Sequence, residues 1–190
     1  MKPFSSRLLS LVLISVFTLS AAGHPPSVAA NHVQDARANA EALIRAAVYE
    51  NALAVLTGDI KAYRGHIARR TLDLYRLVFE GFKEVPDYAA MLSENKLDTA
   101  DKFIDATFLQ GAAQWAKLSK DEMAQRARAQ SNGKLTFLND EEAVLEFGGG
   151  TVRVIYDEKT WKIDETEPAK KLFLDNFQFT PATRAKIEKL

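Results

Sequence analysis

The sequence predicts an α+β domain in which helices from the earlier part of the chain cover one face of an antiparallel sheet formed later. Three observations carry that prediction. Apolar residues recur at spacings of three and four from residue 34 to about residue 130, the period of a helix with one buried face. Asn132-Gly133 ends that pattern, and beyond it apolar residues alternate with polar ones, the period of a half-buried strand. Turn residues divide the alternating region into four runs, so a consecutive antiparallel meander is the simplest topology.

The first helix is expected over residues 34 to 56, because Ala40, Leu43, Ile44, Ala47, Val48, Ala52, Val55 and Leu56 fall on one broad face. Gly58 stops it, and Asp59 is placed to cap a second helix. The stripe Ile60, Tyr63, Ile67, Leu74, Val78 and Phe82 runs on as one helix to Pro86, so the two form a tight hairpin. A short helix is expected over Asp87 to Glu94. Another begins near Asp98 with an acidic first turn that suits the helix dipole, and carries Phe103, Ile104, Phe108, Gly111 and Trp115 inward. Ser119 and Glu122 make a capping box for a last short helix to about Gln130.

In the four strand-like runs Leu135 and Phe137, then Ala143, Leu145 and Phe147, then Val152, Val154 and Tyr156, then Trp161 and Ile163 share one face. The opposite face carries Thr136, Glu146, Arg153, Lys162 and Asp164, with Val144 and Ile155 as apolar exceptions, and should meet solvent or a partner. Gly148-Gly149-Gly150 reads as a hairpin turn, since a phosphate cradle leads into a helix and here a strand follows. The tail after Pro168 holds Leu172, Phe173, Leu174, Phe177 and Phe179, and so much apolar surface is expected to pack back on the domain.

The first thirty residues read as a secretory signal peptide. Lys2 and Arg7 precede an apolar run from Leu8 to Leu19, and small residues follow at Ser20, Ala21, Ala22 and Gly23. That run is too short for a membrane span of roughly 20 residues, so no stable anchor is expected after processing. Cleavage is expected after Ala22 or after Ala30, leaving residues 31 to 190 as a single domain in the periplasm or outside the cell. The chain has no cysteine, which excludes disulfides, a lipid-bearing cysteine and a thiol nucleophile. Removing the leader's two basic residues leaves 23 basic against 25 acidic residues, a net charge of about −2, which argues against nucleic acid as a partner.

The helical hairpin joined at Leu56-Thr57-Gly58-Asp59-Ile60-Lys61-Ala62-Tyr63, followed by helices and a meander that closes on Thr160-Trp161-Lys162-Ile163-Asp164, resembles the NTF2-like superfamily. The stretch Asp140 to Asp164, opened by Glu142-Ala143-Val144, is similar to exported NTF2-like domains of bacteria, and the resemblance covers roughly residues 35 to 165. It implies a cone in which a curved sheet wraps a long helix around an apolar cavity. Members include isomerases, dehydratases, hydrolases and many binding domains, so the resemblance does not fix an activity. The family's short strand between its early helices and its third helix has no counterpart in residues 83 to 98. A helical layer on a plain four-stranded meander is therefore the alternative architecture.

Candidate chemistry is sparse. His66 and Asp105 are the possible general bases, with Tyr63 and Tyr156 as hydrogen-bond donors to an oxyanion. Tyr63, Trp115 and Tyr156 are also the aromatics expected to line a ligand cavity, and Trp161 shares their amphipathic character. Asp98, Asp101 and Asp105 share one side of a helix, and Arg64, Arg69, Arg70 and Arg76 read as a solvated basic flank. His24 and His32 lie in or beside the leader, so no metal or cofactor is expected, and no Gly-x-Ser-x-Gly turn is present. These residues point to a binding protein for a small apolar ligand or an envelope protein. A homodimer through the sheet and a cofactor-free lyase or isomerase are the alternatives.

Overall fold

A computed structural model describes the backbone from Ala30 and side chains from Ala36; the expected signal peptide lies outside the described residues. Helices α1 (Ala30–Thr57), α2 (Ile60–His66), α3 (Arg69–Lys83), α4 (Pro86–Glu94), α5 (Ala100–Ala113) and α6 (Lys120–Ser131) precede the sheet. Strands β1 (Lys134–Phe137), β2 (Glu142–Phe147), β3 (Gly150–Asp157) and β4 (Thr160–Ile163) pair antiparallel in the order β1-β2-β3-β4. Helices α7 (Thr166–Asn176) and α8 (Pro181–Lys189) close the chain. The architecture is the α+β one that the change of period implies.

The register puts the expected residues on one face. Leu135 faces Leu145, Leu145 faces Val152, and Val154 faces Ile163. Against them pack Ile44 and Val48 of α1, Tyr63 of α2, Ile67 and Phe108 of α5. Ile44, Ile67, Leu145 and Val154 are fully buried, each stabilising the fold by roughly 2 kcal/mol. Gly58, at φ 73°, ends α1 in a conformation open to glycine. The Asp59 side chain accepts from the Ala62 N–H at the start of α2, and the Ser119–Glu122 capping box forms at α6.

A second core lies on the other side of α3, where Leu74, Val78 and Phe82 meet Phe103 and Ile104 of α5, Phe173 of α7 and Ile187 of α8. The apolar tail packs back as its composition implies. Its seat is tight: a Cβ on Gly81 would lie 2.6 Å from Thr183 Cγ2 and 2.8 Å from Phe179 Cδ1. The Glu84 carboxylate accepts from both Thr180 and Thr183. Gly81→Ala is therefore expected to cost about 2 kcal/mol by overpacking. Urea unfolding measures the loss, and amide exchange should rise first in α8.

Four expectations change. The helix expected from Asp59 to Pro86 is two helices, because Ile67 is extended (φ −89°, ψ 137°) and bridges Ile163 in parallel, while the Ala68 N–H donates to the Ile163 carbonyl. A sheet edge outbids helix propagation there, and α3 begins on Ala68 with the Asp157 carboxylate accepting from the Arg69 N–H in place of a side-chain cap. Trp115 lies past the end of α5, in the turn after Ala113. Asp164, assigned by alternation to the exposed face, is 3 % exposed, because the first turn of α3 crosses the end of β4. Arg64 and Arg70 are not simply solvated, since each is held by acids from another element. Residues 83 to 98 hold α4 and no strand.

Candidate functional site

The densest polar arrangement sits where β4 hands over to α7, against α2 and the start of α3. Asp164 accepts from Arg70 Nε at 2.9 Å and again from Arg70 Nη2, a bidentate pair. Its Oδ1 also accepts from Thr166 Oγ1 at 2.6 Å and from the Thr166 N–H at 3.2 Å. Thr71 Oγ1 lies 3.0 Å from Thr166 Oγ1 and accepts from the Glu165 N–H. Burial works against the Asp164 charge, but Arg70 and Thr166 outweigh it and hold the carboxyl below its ordinary range. Asp164 thus ties the first turn of α3 to the sheet and starts α7.

The next residue has the opposite electrostatics. The Glu165 carboxylate accepts from Tyr63 Oη at 3.2 Å, and Tyr75 lies beside the same pair. Burial, reinforced by the neighbouring Asp164 charge, pushes the Glu165 carboxyl up, with the Tyr63 hydrogen bond opposing. Burial and then the Glu165 charge push both phenols well above their usual value. Tyr63 stacks on Phe108 at 4.3 Å and Tyr75 meets Phe173 edge-on at 5.6 Å. A carboxyl of raised proton affinity, bonded to one protonated phenol with a second beside it, can hold and pass a proton.

That assignment fixes a pH dependence. Glu165 binds its proton more tightly folded than unfolded, so its contribution is full below the unfolded carboxyl pKa and is lost as pH rises through the folded one. Glu165→Gln removes the loss. The variant is expected to gain stability relative to the parent as pH rises from 4 toward 7 (approximate bounds set by the ordinary carboxyl range), read from denaturant midpoints. A difference that is flat with pH would show that Glu165 titrates normally.

The five sequence candidates are not brought together. Tyr63 belongs to the Glu165 group, facing the core. His66 Nε2 lies 3.3 Å from Glu50 Oε2 of α1 in a partly open pair. Asp105 is 2.8 Å from Arg64 Nη2, and Asp101 holds the same guanidinium. Trp115 lies under Arg126, 5.1 Å from guanidinium to ring centroid, in a small cluster with Leu53, Leu118 and Met123. Tyr156 is 46 % exposed at the end of β3 and meets Trp161 at 5.5 Å. Tyr75, Asp164 and Glu165 were passed over in the sequence. The one signal at Asp164 and Glu165 is the run Asp164-Glu165-Thr166 directly after the last strand, a helix-start pattern that carries no mark of tertiary partners, and Tyr75 has none.

The outer face of the sheet is the second candidate. The register makes Val144 face Arg153 and Ile155 face both Glu142 and Lys162. Val144 and Ile155 are thus diagonal neighbours, and Leu138, 54 % exposed and bonded through its N–H to the Glu142 carbonyl, is the diagonal neighbour of Val144 on its other side. None of the three joins the cores. Around them stand Thr136, Thr151, Lys162 and the ion pair from Arg153 Nη2 to Glu142 at 2.8 Å.

Among the described residues no group of three or more His, Asp or Glu is arranged to hold a metal ion, and no helix is long and apolar enough to cross a membrane. Comparison with family models, curated proteins and solved structures finds no match to this chain.

Proposed function

We propose that this chain is an exported binding module, NTF2-like in build, that engages a protein partner of the cell envelope across the outer face of its sheet. The carrying observation is the apolar diagonal Leu138, Val144 and Ile155, outside every core and rimmed by Thr136, Glu142, Arg153 and Lys162. An apolar centre with a polar rim is the usual anatomy of a protein interface. The inner face favours this over a small apolar ligand, because Ile44, Val48, Tyr63, Phe108 and Trp161 fill it from the helices and β4. A photoreactive residue at Val144 or Ile155, introduced into the exported protein in its own cells, is expected to give one discrete adduct. The same residue at Arg76, on the exposed side of α3, is expected to give none. No adduct from either sheet position overturns the proposal.

A second reading, acid–base catalysis, is favoured by the Glu165, Tyr63 and Tyr75 group rather than by His66, which lies against Glu50, or Asp105, which is ion-paired with Arg64. It requires that a substrate reach the Glu165 carboxyl. The probe is 4-nitrophenolate: a shift of its absorbance on adding the protein, lost in Glu165→Gln and Tyr63→Phe, supports the reading, and an unchanged spectrum ends it.

A further inference from the structure

The two edges of the sheet are treated differently. The β4 edge is covered at Ile163, where Ile67 forms a bridge and the Ala68 N–H takes the Ile163 carbonyl. The β1 edge is not. The Leu138 N–H donates to the Glu142 carbonyl, and antiparallel pairs alternate, so Thr136 and Lys134 also bond toward β2 while Leu135 and Phe137 direct their N–H and C=O groups outward. Among the described residues no group takes those four. No proline or bulge blunts this edge, which leaves it a template for another strand.

We propose that β1 is the docking edge for a second copy of this chain, the two β1 strands pairing antiparallel about a two-fold axis through Thr136. In this register Leu135 and Phe137 of the second copy exchange both backbone bonds, and symmetry repeats the exchange with the roles reversed. The side chains agree with it. Leu135 and Phe137, half-buried on the inner face, meet across the axis as an aliphatic–aromatic pair. On the outer face the Lys134 stem covers the exposed Leu138 of the second copy. The two outer faces become one continuous surface. The second copy takes Leu138 and leaves Val144 and Ile155 as the apolar centre for the partner proposed for that surface.

The chain has no cysteine, so a single one reports cleanly. Across the axis the two Thr136 residues form a non-hydrogen-bonded pair, with Cα atoms about 4.5 Å apart, inside the range for a disulfide. Thr136→Cys in the processed protein is expected to form a disulfide-linked dimer under mild oxidation about tenfold faster than Thr151→Cys, an exposed outer-face position away from the edge. Equal rates overturn the proposal. A charge pair then tests the register: Leu138→Glu, facing Lys134 of the second copy, should keep the dimer in sedimentation velocity, whereas Leu138→Lys should shift it to monomer. Leu138 is exposed, so both variants are expected to fold, as circular dichroism will check. Identical sedimentation of the two, or a monomeric parent at high concentration, also overturns it.

Discussion

Asp164→Ala is expected to lower stability by about 3 kcal/mol, the scale of breaking a buried ion pair by removing one partner. The Asp164 side chain is 1 % exposed, and its removal strands several donors at once. Arg70 loses both bonds of its bidentate pair, the Thr166 hydroxyl and N–H lose their acceptor, and Arg153, whose Nε lies 3.8 Å from the same carboxylate without a hydrogen bond, keeps only Glu142 as a counter-charge. Arg70 is 38 % exposed and can recover water, which keeps the figure near the lower end of the range for buried pairs. Chemical unfolding measures the total. Arg70→Met in the Asp164→Ala background should restore part of the loss, because the uncompensated guanidinium leaves with it. A double variant no more stable than Asp164→Ala would place the cost in the α7 start alone.

The same residue makes the fold acid-sensitive. A carboxyl held below its ordinary range contributes stability that is present above its unfolded pKa and lost as pH falls through the folded one. Glu165 has the reverse dependence, so adjacent residues pull stability in opposite directions across the carboxylate range. In Glu165→Gln the Asp164 slope is no longer opposed by its neighbour, and acid unfolding should steepen relative to the parent.

The elements whose cause is local were readable in the sequence. The Ser119–Glu122 box, the Gly58 stop, the glycine hairpin and the inward alternation of Leu135, Leu145, Val154 and Ile163 each depend on a few neighbouring residues. The break at Ile67 was hidden because its cause is a backbone bond to a strand far along the chain, while its own residues continue the helical stripe. Asp164 was misplaced for a related reason. Alternation gives the side of the sheet but not what crosses its end, and there the first turn of α3 covers the strand. Among the candidate site residues only Tyr63 joined the group around Glu165, and its partner Glu165 stands where the local pattern marks a helix start, while Tyr75 lies beside the apolar stripe of its helix and not in it. Charge environments of this kind are assembled by tertiary contacts, which periodicity does not encode.

Gly133→Ala is expected to cost about 3 kcal/mol, at the upper end for overpacking, although the sequence assigns that glycine no more than a helix stop. Its φ is not in the left-handed region, so the requirement is space. A Cβ there would stand 2.2 Å from the Glu146 carbonyl oxygen and 2.7 Å from Leu145 Cδ2. Backbone is the obstacle, and it moves only if β1 shifts away from β2 where Lys134 faces Glu146. That shift would also pull on the Arg45 guanidinium, which clamps α1 to this turn through the Ser131 and Gly133 carbonyls at 2.7 and 2.9 Å. Gly148→Ala is the control: nothing lies within 4 Å of its Cβ position and its φ is not positive, so the change should stay within about 0.5 kcal/mol, as surface substitutions do. Equal denaturant midpoints for the two variants would mean that β1 yields at no cost, whereas the expected gap would identify the Gly133 turn as the point where the helical layer and the sheet are locked together.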